Sequence, residues 1–273
     1  MGKADTLGSV VERVERTALV WSKRVRQRLA PVPPPHLTVL VAGMQRSGTN
    51  MLMEVLERSL ATDVYHERDP RAFDHYQMRP VPVIHRLRAR SGASHFVIKA
   101  LCELQRMREL LTELAPARGL FVLRRYQDVA NSMVVSFENI AYQVRRLAAE
   151  PDYHPWLGQG MSAETQAILA RLAHDGISER TAAALEWYLR NVLYFEQGLD
   201  REPDVLLVPY EPLVTRPHEE LKRVFDFIGL EYTKRVGAKV SPRSIRRRPP
   251  PDLDPEVEAL CEGLTARFAA LLP

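Results

Sequence analysis

The stretch Leu37-Thr38-Val39-Leu40-Val41-Ala42-Gly43-Met44-Gln45-Arg46-Ser47-Gly48-Thr49-Asn50 decides how this chain is read. Leu37 to Ala42 is an apolar, β-branched run of the kind that forms a strand buried on both faces. Gly43 and Gly48 then bracket a short loop, and Met51, Leu52, Val55, Leu56 and Leu60 continue at helical spacing. A strand that passes through a glycine loop into a helix turns several backbone amides toward one point, and such a point suits a phosphate.

Three more apolar runs, Phe96 to Ile98, Leu120 to Leu123 and Val205 to Val208, read as buried strands. Between and after them lie periodic helical segments. One carries Leu104, Met107, Leu110, Leu111 and Leu114, and a second carries Leu185, Tyr188, Leu189, Val192 and Phe195. A third starts at Pro217, runs through Leu221, Val224, Phe225 and Ile228, and closes on Gly229, with proline first and glycine last. The last has Asp254 as N-cap, Pro255 in its first turn, and Val257, Leu260, Leu264 and Phe268 along one face. Strands alternating with helices predict an α/β fold, a central parallel sheet flanked by helices. Residues 61–94 and 150–180 show no such pattern and read as irregular segments that line or cover a binding site.

Ahead of the first strand, Leu7, Val10, Val11, Val14, Ala18, Trp21, Val25 and Leu29 form one stripe of an amphipathic helix, which Pro31, Pro33, Pro34 and Pro35 stop. The expected organisation is a helix and proline-rich linker over 1–35 and a main domain over 36–273. The stripe is expected to pack on its own domain, with a membrane surface or a second copy in a homodimer as the other partners it could serve. With 273 residues and 45% hydrophobic content the chain can build its core without disulfides. Cys102 and Cys261 show no CxxC spacing, and no long apolar run or secretory signal is visible, so the expected location is cytoplasmic, with no transmembrane segment. The net charge of +4 is modest and rests on arginine, only six of the 38 basic residues being lysine. The one dense basic cluster is Arg243, Arg246, Arg247 and Arg248, too little for a nucleic-acid partner.

Counted from Gly43, the loop has the spacing of a nucleotide P-loop, yet Thr49 stands where the lysine of GxxxxGK[ST] belongs. A nucleoside triphosphatase would lack its cation for the β- and γ-phosphates. The loop instead places a cation at Arg46, which points to a different phosphorylated ligand.

Arg46-Ser47-Gly48-Thr49, after a strand, resembles the first signature of the sulfotransferases that use 3′-phosphoadenosine-5′-phosphosulfate (PAPS). Arg124 and Ser132, separated by seven residues after the strand Leu120 to Leu123, resemble the second, in which an arginine fork and a hydroxyl grip the 3′-phosphate. Val208-Pro209-Tyr210-Glu211-Pro212-Leu213, followed by the helix from Pro217, resembles a third. The resemblance covers about residues 37 to 230 and implies the P-loop-like sulfotransferase fold. It implies PAPS as co-substrate, adenosine 3′,5′-bisphosphate as product, no metal, and a small-molecule or glycan acceptor. It further implies that Arg46, Ser47, Gly48, Thr49, Asn50, Arg124, Ser132 and Tyr210 bind the nucleotide, with one of Arg246 to Arg248, taken as Arg247, covering the 3′-phosphate.

Lys99 matches the lysine of the cytosolic members, but Leu101 stands where their catalytic histidine would be, and Asn50 precedes Met51 where many carry a tryptophan against adenine. Tyr65-His66-Glu67 lies where glycan-modifying and protein-modifying relatives carry a glutamate base. Glu67 is therefore the expected base and His66 the alternative, with Arg46 and Lys99 stabilising the leaving phosphate. Two other readings stay open on sequence alone: a P-loop kinase of a small molecule, and a protein that binds an adenosine phosphate without catalysis.

Overall fold

The computed structural model describes residues 17–272 apart from 24, 34 and 155. In chain order its strands are β1 (Leu37–Gly43), β2 (Thr62–Tyr65), the two-residue β3 (Phe73–Asp74) and β4 (Gln77–Met78), β5 (His95–Lys99), β6 (Ala117–Leu123) and β7 (Val205–Pro209). The main sheet has the order β2-β5-β1-β6-β7, with every neighbouring pair parallel. β3 and β4 form a small antiparallel ladder of their own. The expected parallel sheet flanked by helices is therefore present.

Successive strand residues point to opposite faces, so the sheet divides its apolar side chains between two cores. Leu40, Ala42, Phe96, Ile98 and Phe121 pack into one with Val129 and Met133, with Leu185, Leu189 and Val192 of the helix Glu179–Glu196, and with Phe268 of the helix Pro255–Ala269. Val39, Val41, Val97, Leu120, Val122 and Val208 face the other, against Leu52, Val55 and Leu56 of the helix Thr49–Glu57 and Leu221, Val224 and Phe225 of the helix Pro217–Ile228. The caps read from sequence are in place. Asp254 accepts a hydrogen bond from the Glu256 amide at 2.9 Å, and Gly229 closes its helix in the left-handed conformation, φ 74°.

One expectation needs correction. Residues 61–94 are not irregular: they hold β2, the β3–β4 hairpin and the helix Val81–Ala89, and residues 150–180 hold the helix Ala163–Leu172. The segment before β1 is helical over 17–23 and 25–29. Trp21 and Leu29 are exposed, whereas Lys23 is buried and donates to the Glu57 carbonyl at 2.7 Å and the Thr62 hydroxyl at 3.0 Å. Gln27 adds bonds to the carbonyls of Leu60 and Thr62. Leu7, Val10, Val11 and Val14 lie outside the described residues. Among the described residues no helix is long and apolar enough to cross a membrane.

Gly43 at the end of β1 sits at φ 140°, and a Cβ there would come within 2.5 Å of the Val122 carbonyl oxygen on β6. Both the backbone angle and the strand contact exclude a side chain. Gly43→Ala should lower the free energy of unfolding by about 1–3 kcal/mol, read as a lower urea midpoint with an unchanged slope.

Candidate functional site

Because the strands run parallel, Gly43, Lys99, Leu123 and Pro209 all end at one edge of the sheet, where open α/β sheets hold their ligands. The glycine loop leaves β1 there. Arg46 takes a left-handed conformation at φ 65°, and Gly48 does so at φ 99°, where it caps the helix Thr49–Glu57 without any side-chain bond. The first-turn amides of that helix are thus not covered by a capping side chain, and the helix dipole adds to their attraction for an anion. The Ser47 hydroxyl and the Gln45 side-chain oxygen are buried with no hydrogen-bond partner, polar groups placed to meet a ligand.

Three segments distant in sequence, carrying Arg124 and Ser132, Tyr210, and Ser244, close around this loop. Arg46 donates through Nε to the Ser132 hydroxyl at 2.9 Å. Arg124 donates through Nη1 to the Arg46 carbonyl at 2.9 Å and through Nη2 to the Ser244 carbonyl at 2.7 Å. Its guanidinium lies over the Tyr210 ring, 4.7 Å from the centroid, and the Tyr210 and Ser244 hydroxyls are hydrogen-bonded. Any Cβ on Gly48 would collide with the Tyr210 ring, so the second glycine is set by that aromatic packing as well as by φ. The arginine, the serine and the tyrosine expected from sequence are therefore brought together on the loop.

Supports behind these groups fix them in place. The Trp187 indole donates to the Arg124 carbonyl at 2.9 Å, and the half-buried Glu211 carboxylate accepts from the Arg125 amide at 3.1 Å. Burial is the main cause that raises the Glu211 carboxyl above the usual range. The segment before the last helix is pinned over the site by its backbone, since Asp128 accepts from the Arg246 amide and Asn131 donates to the Pro249 carbonyl. Ser244 is what this segment delivers to Arg124 and Tyr210, and nothing in its sequence context singles it out. Arg247 is exposed and its Nε returns to the Arg243 carbonyl at 2.5 Å, so its guanidinium is not among the groups gathered on the loop.

A second cluster adjoins the first through Asn50. Lys99, the last residue of β5, is 1% exposed, donates to the Asn50 side-chain oxygen at 2.6 Å and forms an ion pair with Glu67. Burial lowers its pKa, and Glu67 opposes that shift. His66 does not join this cluster: its Nε2 lies 3.5 Å from the Glu57 carboxylate, at the far end of the helix that Thr49 begins. Of the two candidate bases, Glu67 is the one beside Lys99.

The segment after Lys99 is anchored by a fully buried arginine that the sequence pattern does not reveal. Arg190 donates to the Leu101 carbonyl at 3.1 Å and the Trp156 carbonyl at 3.2 Å, with Trp156 stacked on its guanidinium. Glu103 ties the same segment to the β3–β4 hairpin by accepting from the Met78 amide at 2.5 Å. Burial pushes the Glu103 carboxyl up to about 7. The native state therefore holds a proton between the usual carboxylate range and about pH 7 that the unfolded chain does not, so this group loses stability as pH rises through that window. Wild type should accordingly become less stable relative to Glu103→Gln as pH is raised from about 4.5 to about 7, measured by urea unfolding at each pH.

Residues 37–245 match the sulfotransferase domain family, and the chain belongs to that family. Similar solved structures include the sulfotransferase domain of the olefin synthase from Synechococcus PCC 7002, at 14% identity and TM-score 0.53, covering 89% of this chain and 98% of that one. The sulfotransferase domain from the curacin biosynthetic pathway aligns at 13% identity and TM-score 0.52, covering 86% of this chain and 99% of its own. At these identities the likeness is one of fold. No curated protein matches the sequence.

Proposed function

We propose that this sulfotransferase moves a sulfuryl group from PAPS to a hydroxyl or amine of a small-molecule or glycan acceptor and releases adenosine 3′,5′-bisphosphate. The observation that carries the reading is the junction of Arg46, Arg124 and Ser132, which joins the glycine loop to an arginine and a hydroxyl able to grip a second phosphate. An ordinary nucleoside phosphate needs only the loop. A ligand phosphorylated at both ends uses all of it.

In this reading the amides of Ser47 to Asn50 and the Ser47 hydroxyl bind the 5′-phosphate, and Arg124 and Ser132 bind the 3′-phosphate, with Tyr210 holding Arg124 in register. Arg46 and Lys99 stabilise the charge that grows on the leaving phosphate, a type of contribution worth roughly 3 kcal/mol for one well-placed group. Glu67 takes the acceptor proton. The kinase reading is disfavoured by Thr49 in the lysine position and by the family to which the chain belongs.

Two measurements test this. Adenosine 3′,5′-bisphosphate without magnesium should raise the melting temperature, by the equivalent of about 2.7 kcal/mol at a hundredfold excess over Kd, and ATP with magnesium should do less. Transfer of labelled sulfate from PAPS to any acceptor separates an enzyme from a protein that only binds the nucleotide. A second expectation concerns the grip on the 3′-phosphate. Arg124→Ala and Ser132→Ala should each weaken binding of the bisphosphate by about 1.5–3 kcal/mol and leave adenosine 5′-monophosphate binding nearly unchanged. Equal losses for the two nucleotides would remove the assigned role.

A further inference from the structure

Lys99 is almost completely buried, and a buried ammonium needs an opposite charge. The Glu67 carboxylate is the charge it has in this structure, and Asn50, on the first turn of the glycine-loop helix, contributes a neutral oxygen at 2.6 Å. The ammonium thus lies between the segment that would hold the donor and the residue that would meet the acceptor. This creates a conflict in any transfer that uses both groups. Protonating the carboxylate that neutralises a buried lysine strands the ammonium. A lysine held by a carboxylate is likewise a weak partner for a leaving phosphate.

We propose that Lys99 exchanges counter-ions during transfer, passing from the Glu67 carboxylate to the 5′-phosphate of the departing nucleotide as Glu67 takes up the acceptor proton. The inference rests on the sulfotransferase reading above. In the step, the acceptor oxygen forms a bond to sulfur, the bond from sulfur to the bridging phosphate oxygen breaks, and its electron pair remains on that oxygen. The acceptor proton moves to Glu67. One negative charge disappears from Glu67 and one appears on the 5′-phosphate, so the ammonium keeps one counter-ion throughout. Proton removal and leaving-group departure then favour each other, and neither is favoured alone. Asn50 holds the lysine on the donor side while the anions change places.

The exchange implies that Glu67 and a 5′-phosphate compete for one ammonium, and this can be measured with no acceptor. The probe is adenosine 3′,5′-bisphosphate, titrated calorimetrically into wild type, Glu67→Gln, Lys99→Met and the double variant. Glu67→Gln keeps the size of the side chain and removes the competing charge, so it should tighten the bisphosphate about three- to tenfold. Lys99→Met should weaken it about tenfold, and adding Glu67→Gln to that variant should change Kd less than twofold. Adenosine 3′-monophosphate, which lacks the 5′-phosphate, should bind wild type and Glu67→Gln within twofold of each other, whereas a general rearrangement of the site would move both nucleotides. Unchanged or weaker bisphosphate binding by Glu67→Gln overturns the exchange, as does a gain that persists without Lys99. Failure of wild type to bind the bisphosphate at all would instead refute the proposed function.

Discussion

One guanidinium organises the ligand edge of this protein. Arg124 spans from the Arg46 carbonyl in the glycine loop to the Ser244 carbonyl in the segment before the last helix, with the Tyr210 ring against its face. A planar fork with donors at both ends can do this, and the point charge of a lysine could not. The left-handed turn at Arg46, the glycine beneath Tyr210 and the late loop all meet at that span. Trp187 holds Arg124 by its own carbonyl, so the geometry is backed by the main helical core rather than by the surface.

The two clusters at this edge use charge differently. Around Arg124 the cation is satisfied by backbone carbonyls and stacking, which leaves the net positive charge to act on an anion. Around Lys99 the cation is neutralised by Glu67. Positive charge is thus available at the one place and reserved at the other, while Asn50 links the two through the helix that the glycine loop begins.

Much of this was legible in the sequence, for identifiable reasons. β1, β5, β6 and β7 are buried on both faces and therefore read as unbroken apolar runs. Arg46, Arg124 and Ser132 stand at fixed offsets from strand ends, so locating the strands located them. β2 was missed because Thr62-Asp63-Val64-Tyr65 is a four-residue edge strand with a half-buried, partly polar pattern. Arg190 and Glu103 carry no such signal, because a buried charged residue looks, in sequence, like a surface one. The pairing of Glu67 with Lys99 rather than of His66 with Lys99 comes from the turn after β2, and alternation along a chain does not specify a turn. Ser244 and the outward course of Arg247 belong to a loop with no periodicity to read.

Over its described residues, the helix before β1 makes directed bonds to the domain through two polar side chains. Lys23 and Gln27 bind it to the turn between the glycine-loop helix and β2, while Trp21 and Leu29 already face water. Lys23, whose ammonium burial shifts down to about 8, holds both the Glu57 carbonyl and the Thr62 hydroxyl. The attachment of this helix is thus linked to a proton in a way that the two apolar cores are not.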